Sequence, residues 1–190
     1  MGNETSKNEW RQNSVSHIII LLYGDSENDS LRTEERKMAG IVGTHLVAQV
    51  GFVVKDIEET KKKWAAFLGV DVPPTQPCGD YEITQTVFEG RPAPEANSLL
   101  AFFDVGPGLQ IELIQPNEAP STWRNFLNEH GEGMHHLAFQ VKDSKAQIAN
   151  AENAGLRLVQ HGVYGDGGGE YNYLDAPDLK CIVELLESYR

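Results

Sequence analysis

Two carboxylates stand in the middle of apolar segments of this chain. Glu112 lies within Gln110–Ile114, and Glu184 lies within Cys181–Leu186. A carboxylate that is buried in a strand costs several kcal/mol to remove from water unless a cation or hydrogen-bond donors compensate. Other side chains that share a cation with these two residues would provide that compensation.

The alternation of side chains along β-strands supplies two more candidates. Successive side chains of a strand point to opposite faces of the sheet. In the segment that starts at His136, every second residue after it is apolar and must meet a helix, so His136 faces the other side. The same alternation turns Gln49 toward that side from its own strand, and turns Glu112 and Glu184 away from the packed faces of theirs.

An internal repeat relates these four positions. Two segments share Phe, Val, Lys and Asp and lead into helical patterns, and each half of the chain closes with one carboxylate-bearing strand. The two segments are Gln49–Asp56 and His136–Asp143. A pseudo-twofold axis between the halves makes Gln49 equivalent to His136, and Glu112 equivalent to Glu184. One imidazole, two carboxylates and an amide oxygen suit a borderline divalent cation, so the repeat predicts a metal site made of these residues.

The elements that must position the four residues form two similar halves. We predict an α+β fold in which tandem βαβββ modules, residues 45–117 and 133–190, form one curved mixed sheet with a cleft and with helices packed outside. A short helix over Ser121–His130 links the modules. Residues 1–44 are expected to form a mostly flexible arm with one short strand at His17–Tyr23.

Structural roles are the alternative for each candidate. A lone histidine on a strand is usually a satisfied core or half-exposed residue, and a glutamate in a strand usually faces water at a sheet edge. Strict alternation makes His135 point opposite to His136, and Trp64 and Phe67 are expected in the core. Four histidines are expected to be surface or structural residues: His45, His130, His135 and His161.

A glycine-rich segment, Tyr164–Tyr171, lies between two predicted strands of the second module. It lacks the Gly-Lys-Ser/Thr of a phosphate-binding loop. Two interpretations remain open, a mobile loop over the cleft or a plain hairpin connection.

Composition excludes several classes of partner. The 16 basic and 28 acidic residues give a net charge of −12, which repels phosphate backbones and anionic lipid headgroups, so we expect neither nucleic acid nor membrane as partner. No apolar run approaches the roughly 20 residues of a membrane-spanning helix. The two cysteines, Cys78 and Cys181, form no CxxC motif and indicate neither a disulfide framework nor a thiolate zinc site. We expect a cytoplasmic protein that acts on a small molecule.

A family resemblance rests on Gly131–Phe139, which reads GEGMHHLAF, and on the preceding Pro120–Trp123. From about residue 46 to residue 188 the chain resembles the vicinal oxygen chelate superfamily, which includes glyoxalase I, methylmalonyl-CoA epimerase, extradiol dioxygenases and bleomycin-resistance proteins. The four predicted ligands fall on the metal positions of that family. Their set is similar to the zinc site of eukaryotic-type glyoxalase I, so the resemblance implies zinc, with nickel, cobalt or manganese as alternatives. It also implies a homodimer.

The chain departs from the family at positions that select the substrate. Val53 and Pro116 stand where glyoxalase I has the Arg and Asn that hold glutathione. Ala101 is expected near the position of a second carboxylate of the epimerase. Extradiol dioxygenases need two histidines and one carboxylate for iron, and here only His136 falls on a histidine ligand position.

The resemblance implies a metal-dependent lyase or isomerase of the glyoxalase or epimerase kind. It would act by proton transfer through a metal-chelated enediolate on a small oxo- or hydroxy-carbonyl substrate. Glu184 is expected to be the base, because its counterpart in relatives can leave the metal. Two alternatives stay open: a metal-free binding protein of the bleomycin-resistance type that uses the same cleft, and a scaffold or regulatory dimer with a vestigial cleft.

Overall fold

The structure, a computed structural model, describes residues 40–189. The arm predicted over residues 1–44, with its short strand at 17–23, therefore lies mostly outside the described residues. The strands are β1 (Val47–Val53), β2 (Gln76–Pro77), β3 (Val87–Phe88), β4 (Arg91–Pro92), β5 (Ser98–Gly106), β6 (Leu109–Pro116), β7 (Gly133–Gln140), β8 (Arg157–Val163), β9 (Gly169–Ala176) and β10 (Cys181–Ser188). The helices are α1 (Ile57–Leu68), α2 (Tyr81–Thr84), α3 (Thr122–His130) and α4 (Ser144–Asn153), with a 3₁₀ turn at Pro177–Leu179.

All the strands belong to one mixed sheet, in the order β2-β5-β6-β1-β7-β10-β9-β8-β3-β4. Strands β1 and β7 pair antiparallel at its centre, and each is flanked by a parallel neighbour, β6 or β10. This arrangement confirms the predicted α+β class with a single mixed sheet. Within the described residues, no helix is long and apolar enough to cross a membrane.

The helices α1 and α4 cover the outer face of the sheet, as predicted. Asp56 caps α1 by accepting the Glu59 amide at 3.0 Å, and Gly69 ends it in the left-handed conformation. In the first half, Ile57 of α1 packs with Phe103 and Leu113 of the sheet, and α4 packs in the same way on β9 and β10.

The prediction for Phe67 is wrong, because its side chain is 81% exposed. The buried stripe of α1 consists of Ile57, Lys61 and Ala65, and Phe67 lies off that stripe against the edge of Trp64. Lys61 takes a buried place because its ammonium donates to Thr75 Oγ1 at 2.8 Å while its aliphatic stem packs.

The position expected for Ala101 is also wrong. Ala101 is fully buried in the cluster that packs against α1, on the outer face of β5. The neighbouring residues of β5 alternate to the inner face, where Leu100, Phe102 and Asp104 line the cleft.

One connection crosses from the first half of the sheet to the second. After β2 pairs with β5, the chain forms α2 and then β3, which pairs with β8 at Val87 and His161. Beside this crossing the backbone of Gly79 lies so close to Gly165 that an added Cβ on Gly79 would stand 2.6 Å from the Gly165 Cα. The two outer parts of the curved sheet are thereby joined across the cleft.

Candidate functional site

The register of the central strands relates the two halves by an approximate twofold axis. Gln49 pairs with Ala138 across β1 and β7, and Gly51 pairs with His136. Exchanging the halves therefore maps Gln49 onto His136 and Gly51 onto Ala138. On the flanking strands, Glu112 stands beside Gly51 and Glu184 stands beside Ala138, so the two carboxylates are equivalent as well.

This register brings three of the four predicted residues together. The Nε2 atom of His136 lies 3.3 Å from Glu112 Oε2 and 3.1 Å from Glu184 Oε2. All three side chains are buried, and their candidate ligand atoms lie within 4.8 Å of one another.

The fourth residue, Gln49, lines the same cleft and is held by a chain of hydrogen bonds. Its Nε2 donates to Gln110 Oε1 at 3.2 Å, and Gln110 Nε2 donates to Asp104 Oδ1 at 2.9 Å. An ionised carboxylate can only accept, so Asp104 fixes the orientation of the Gln110 amide, which in turn fixes that of Gln49. The Oε1 atom of Gln49 is thereby left outside this chain.

A glycine at position 51 makes room for the imidazole of His136. A Cβ on Gly51 would lie 1.9 Å from Cε1 of that ring and 2.4 Å from each of its nitrogens. Strand β1 is paired on both sides, to β6 and to β7, so a shift of its backbone would cost hydrogen bonds of the sheet. The absence of a side chain at Gly51 is therefore a condition for the geometry of the cluster.

The donor atoms of the cluster fit a divalent cation. Glu112 Oε2, His136 Nε2 and Glu184 Oε2 are buried, and none has a well-oriented hydrogen-bond partner among the described residues. Buried polar atoms in proteins are normally paired, so three unpaired acceptors that face one another need a proton or a cation between them. One nitrogen and two carboxylate oxygens are ligands that zinc and related ions accept.

Without a metal, protonation serves the same purpose. Burial alone would lower the pKa of the His136 imidazole, but the charge of Glu184 and the contact with Glu112 raise it to about 10. Burial raises the pKa of the Glu112 carboxyl, against the opposing effect of His136. A proton thus occupies the centre of the metal-free cluster.

The prediction for the orientation of His135 is wrong. Strict alternation would turn it away from His136, but its Nδ1 atom lies 3.0 Å from His136 Nδ1. The register shift between Gly51 and Phe52 places three residues of β7 opposite two of β1, so His135 is the extra residue of a β-bulge. Burial, followed by the charge of His136, lowers the pKa of His135. His135 is therefore neutral, and its Nδ1 atom accepts a hydrogen bond from the Nδ1–H of His136.

Aromatic side chains form one wall of the cleft. Helix α3 is held at its start, where the Thr122 amide donates to Gln160 Oε1 at 2.8 Å. The next residue, Trp123, donates from Nε1 to Tyr173 OH at 3.1 Å, and its ring centroid lies 6.1 Å from that of Tyr171. The Tyr173 ring in turn lies 5.2 Å from the His136 ring. The cleft has a volume of about 800 Å³, large enough for a small organic substrate.

The glycine-rich segment closes a β-hairpin between β8 and β9. The amide of Tyr164 donates to Gly169 O at 2.8 Å, and the amide of Gly168 donates to Asp166 Oδ1 at 2.8 Å. Tyr164, Gly165 and Asp166 line the cleft. The segment is therefore a hairpin connection that also forms part of the cleft wall.

A match to the sequence profile of a known family spans most of the described residues. The sequence profile of the glyoxalase/bleomycin resistance protein/dioxygenase superfamily matches residues 48–173. The chain belongs to this superfamily. The match begins within β1 and ends within β9, and it includes three of the four predicted ligands.

The relatives of this superfamily member include enzymes. This chain is 26% identical over 140 residues to the ethylmalonyl-CoA/methylmalonyl-CoA epimerase of Cereibacter sphaeroides. The alignment covers 72% of this chain and 92% of that protein. The predicted resemblance to the epimerase-like branch of the superfamily is thus confirmed.

Solved structures share the fold. The methylmalonyl-CoA epimerase of Mycobacterium tuberculosis has a TM-score of 0.53 at 23% identity, over 76% of this chain and 88% of that one. A variant of the Streptomyces coelicolor epimerase in complex with 2-nitronate-propionyl-CoA has a TM-score of 0.54 at 22% identity, over 76% and 98% of the two chains.

The residues that sequence reasoning missed are those that hold the predicted ligands in place. Asp104 and Gln110 orient Gln49, and His135 orients His136. The Gln at position 110 lies two residues before Glu112 on the same face, which is a signal in the sequence. The bulge at His135 leaves no such signal, because the alternation of side chains along a strand does not reveal an extra residue.

Proposed function

We propose that this protein is a metal-dependent isomerase or lyase that transfers a proton at the carbon next to a carbonyl group. The observation that carries the proposal is the convergence of Glu112, His136 and Glu184, buried and with unpaired acceptor atoms, at the inner end of a large cleft. The relative from Cereibacter sphaeroides is named an epimerase, which is a kind of isomerase, and this name supports the isomerase assignment.

Glu112, His136 and Glu184 would hold the ion, with Gln49 Oε1 as a fourth ligand atom. A divalent cation supplies Lewis acidity, which polarises a carbonyl and lowers the pKa of the adjacent C–H. His135 Nδ1 accepts a hydrogen bond from the Nδ1–H of His136 and so keeps the Nε2 lone pair turned toward Glu112 and Glu184. Zinc is the first ion to test, followed by nickel, cobalt and manganese.

Glu184 is our choice for the base that takes and returns the proton. It pairs with Tyr173 on β9, whereas Glu112 pairs with Phe102 on β5. Glu184 thus has a phenol beside it on the aromatic wall, and Glu112 has an apolar ring. The family resemblance supports the same choice, since the counterpart of Glu184 in relatives is the ligand that can leave the metal.

Metal quantitation followed by hydrogen exchange in D₂O tests the proposal. The panel consists of 2-oxo and 2-hydroxy carbonyl compounds, both neutral and charged, with deuterium uptake followed by NMR. At saturating metal, Glu184→Gln should lower the exchange rate by at least about 100-fold. Glu112→Gln is the matched control and should weaken metal binding, with exchange restored at higher metal concentration.

Two results would contradict the proposal. Protein that holds no stoichiometric ion and shows no uptake across the panel would leave the metal-free binding protein as the function. Loss of exchange in Glu112→Gln at saturating metal, with full exchange in Glu184→Gln, would move the base to the other carboxylate.

We also propose a homodimer located in the cytoplasm. Light scattering coupled to size-exclusion chromatography measures the first, and fractionation of the source cells tests the second.

A further inference from the structure

A fully buried amide side chain lies on a strand that carries none of the predicted metal ligands. Gln160 belongs to β8, which is separated from the strand of His136 by β9 and β10. Its side chain has no exposed surface. Burial of an amide is costly unless its polar atoms find partners, so the contacts of Gln160 define its role in the fold.

The side-chain oxygen of Gln160 holds the first residue of α3. The Thr122 amide donates to Gln160 Oε1 at 2.8 Å, and Thr122 Oγ1 donates to the same oxygen at 3.2 Å. A backbone N–H can only donate, so the oxygen of the Gln160 side chain must face Thr122, and the orientation of the amide is fixed. The same side chain also meets the hydroxyl of Tyr171 on β9. Gln160 thus ties the start of α3 to the second half of the sheet.

Helix α3 in turn presents two groups to His135. The backbone carbonyl of Thr122 faces the imidazole as a hydrogen-bond acceptor. The ring of Phe126 meets the imidazole edge-on, with centroids 5.3 Å apart. His135 is 1% exposed, so it has little space in which to turn. The position of the His135 ring therefore depends on the position of α3.

The contact between His135 and His136 couples the proton positions of the two rings. A neutral His136 can offer its Nε2 lone pair to a cation only when its proton is on Nδ1. That N–H faces His135 Nδ1, which lies 3.0 Å away and must accept the hydrogen bond. The proton of His135 is then on Nε2, with the Thr122 carbonyl as its acceptor. The opposite tautomer of His135 would place two N–H groups face to face and drive the proton of His136 to Nε2, where it would block the cation.

We propose that Gln160 is a positioning residue of the metal site. It holds Thr122 so that His135 keeps its proton on Nε2, and His135 then keeps the Nε2 atom of His136 free for the cation. The role in metal binding rests on the proposed function, whereas the effect of Gln160 on the His135 tautomer does not.

Long-range ¹H–¹⁵N correlation NMR shows which ring nitrogen of a histidine carries a proton, and competition with a chelating dye measures zinc affinity. In the wild type, with zinc and without it, His135 should carry its proton on Nε2. Gln160→Met keeps the length of the side chain and removes the acceptor for Thr122. We expect this variant to populate the Nδ1–H form of His135 and to bind zinc about 10–100-fold more weakly. Gln160→Asn keeps the amide but shortens it by one carbon, so it should show the same two changes, and it replaces Gln160→Met if that variant does not fold.

Val159→Ala is the matched control for a general loss of stability. Val159 is buried next to Gln160 on β8 and packs with Trp123 and Leu127 of α3. Its truncation weakens the packing between β8 and α3 but leaves both hydrogen bonds of Thr122 in place. The urea midpoint should fall, the His135 tautomer should not change, and zinc affinity should stay within about twofold of the wild type.

Different outcomes separate this inference from the proposed function. A wild-type His135 with its proton on Nδ1, wild-type tautomer and zinc affinity in the Gln160 variants, or equal losses in Val159→Ala would overturn the role of Gln160 and leave the metal site intact. Wild-type protein that binds no divalent ion would overturn the proposed function. The His135 tautomer of the metal-free Gln160 variants would still decide whether Gln160 controls that ring.

Discussion

The substitution Gly51→Ala tests the steric basis of the candidate site. The new Cβ would lie 1.9 Å from His136 Cε1, so the imidazole must turn away from Glu112 and Glu184 or the central strands must separate. Overpacking of a core typically costs about 1–3 kcal/mol. We therefore expect the metal-free protein to lose this amount in urea unfolding, and zinc affinity to fall by about 10–100-fold, as for other losses of ligand positioning.

Gly106→Ala is the matched control, because nothing lies within 4 Å of a Cβ at that position in β5. Its free energy of unfolding should stay within about 0.5 kcal/mol of the wild type or rise slightly. Zinc affinity is measured by competition with a chelating dye. If Gly51→Ala matched Gly106→Ala in both urea midpoint and zinc affinity, the placement of the imidazole over Gly51 would be refuted.

Three further predictions concern the orientation of Gln49, the protonation of the cluster and the buried stripe of α1. Asp104→Asn should weaken zinc binding about two- to tenfold, since an amide no longer fixes the chain that orients Gln49, and it should have no such effect in a Gln49→Glu background. The metal-free protein should lose stability as pH rises from 6.5 to about 10, because the pKa of His136 is raised to about 10 and its protonated form stabilises the fold only below that value. Ile57→Ala should cost about 2–5 kcal/mol, and Phe67→Ala should change stability by less than about 0.5 kcal/mol.

Each of these predictions has a contrary result. Equal losses from Asp104→Asn in both backgrounds would show that Asp104 acts through charge and not through amide orientation. A metal-free protein whose urea midpoint is constant from pH 6.5 to 10, or rises, would contradict the proton at the centre of the cluster, and the zinc-bound protein serves as the pH control. A Phe67→Ala variant as unstable as Ile57→Ala would contradict the position of that stripe.

Most of the site could be predicted because its parts obey local rules. Alternation along the strands assigned Glu112, His136 and Glu184 to the inner face, and the repeat gave their pairing. The caps of α1 at Asp56 and Gly69 could be predicted for the same reason, since each cap depends on a few neighbouring residues. The convergence of the three residues followed from the twofold relation of the halves.

The wrong predictions concern side chains whose positions depend on residues that are distant in the sequence. His135 turns toward His136 because of an extra residue in β7, which becomes visible only when β1 pairs with it. Phe67 is exposed because the sheet contacts α1 along Ile57, Lys61 and Ala65, and helical spacing alone allowed either stripe.

The sequence by itself determined the class of fold, the family and the three residues of the cluster, because periodicity and internal duplication are properties of the chain. Only the tertiary structure decided which groups hold those residues in place and which residues line the cleft. The bond from Gln110 to Asp104 and the crossing from β2 to β8 join residues that lie on different strands, and the cleft is lined by residues from both halves of the chain. Such contacts depend on strand register and sheet curvature, which no local pattern encodes.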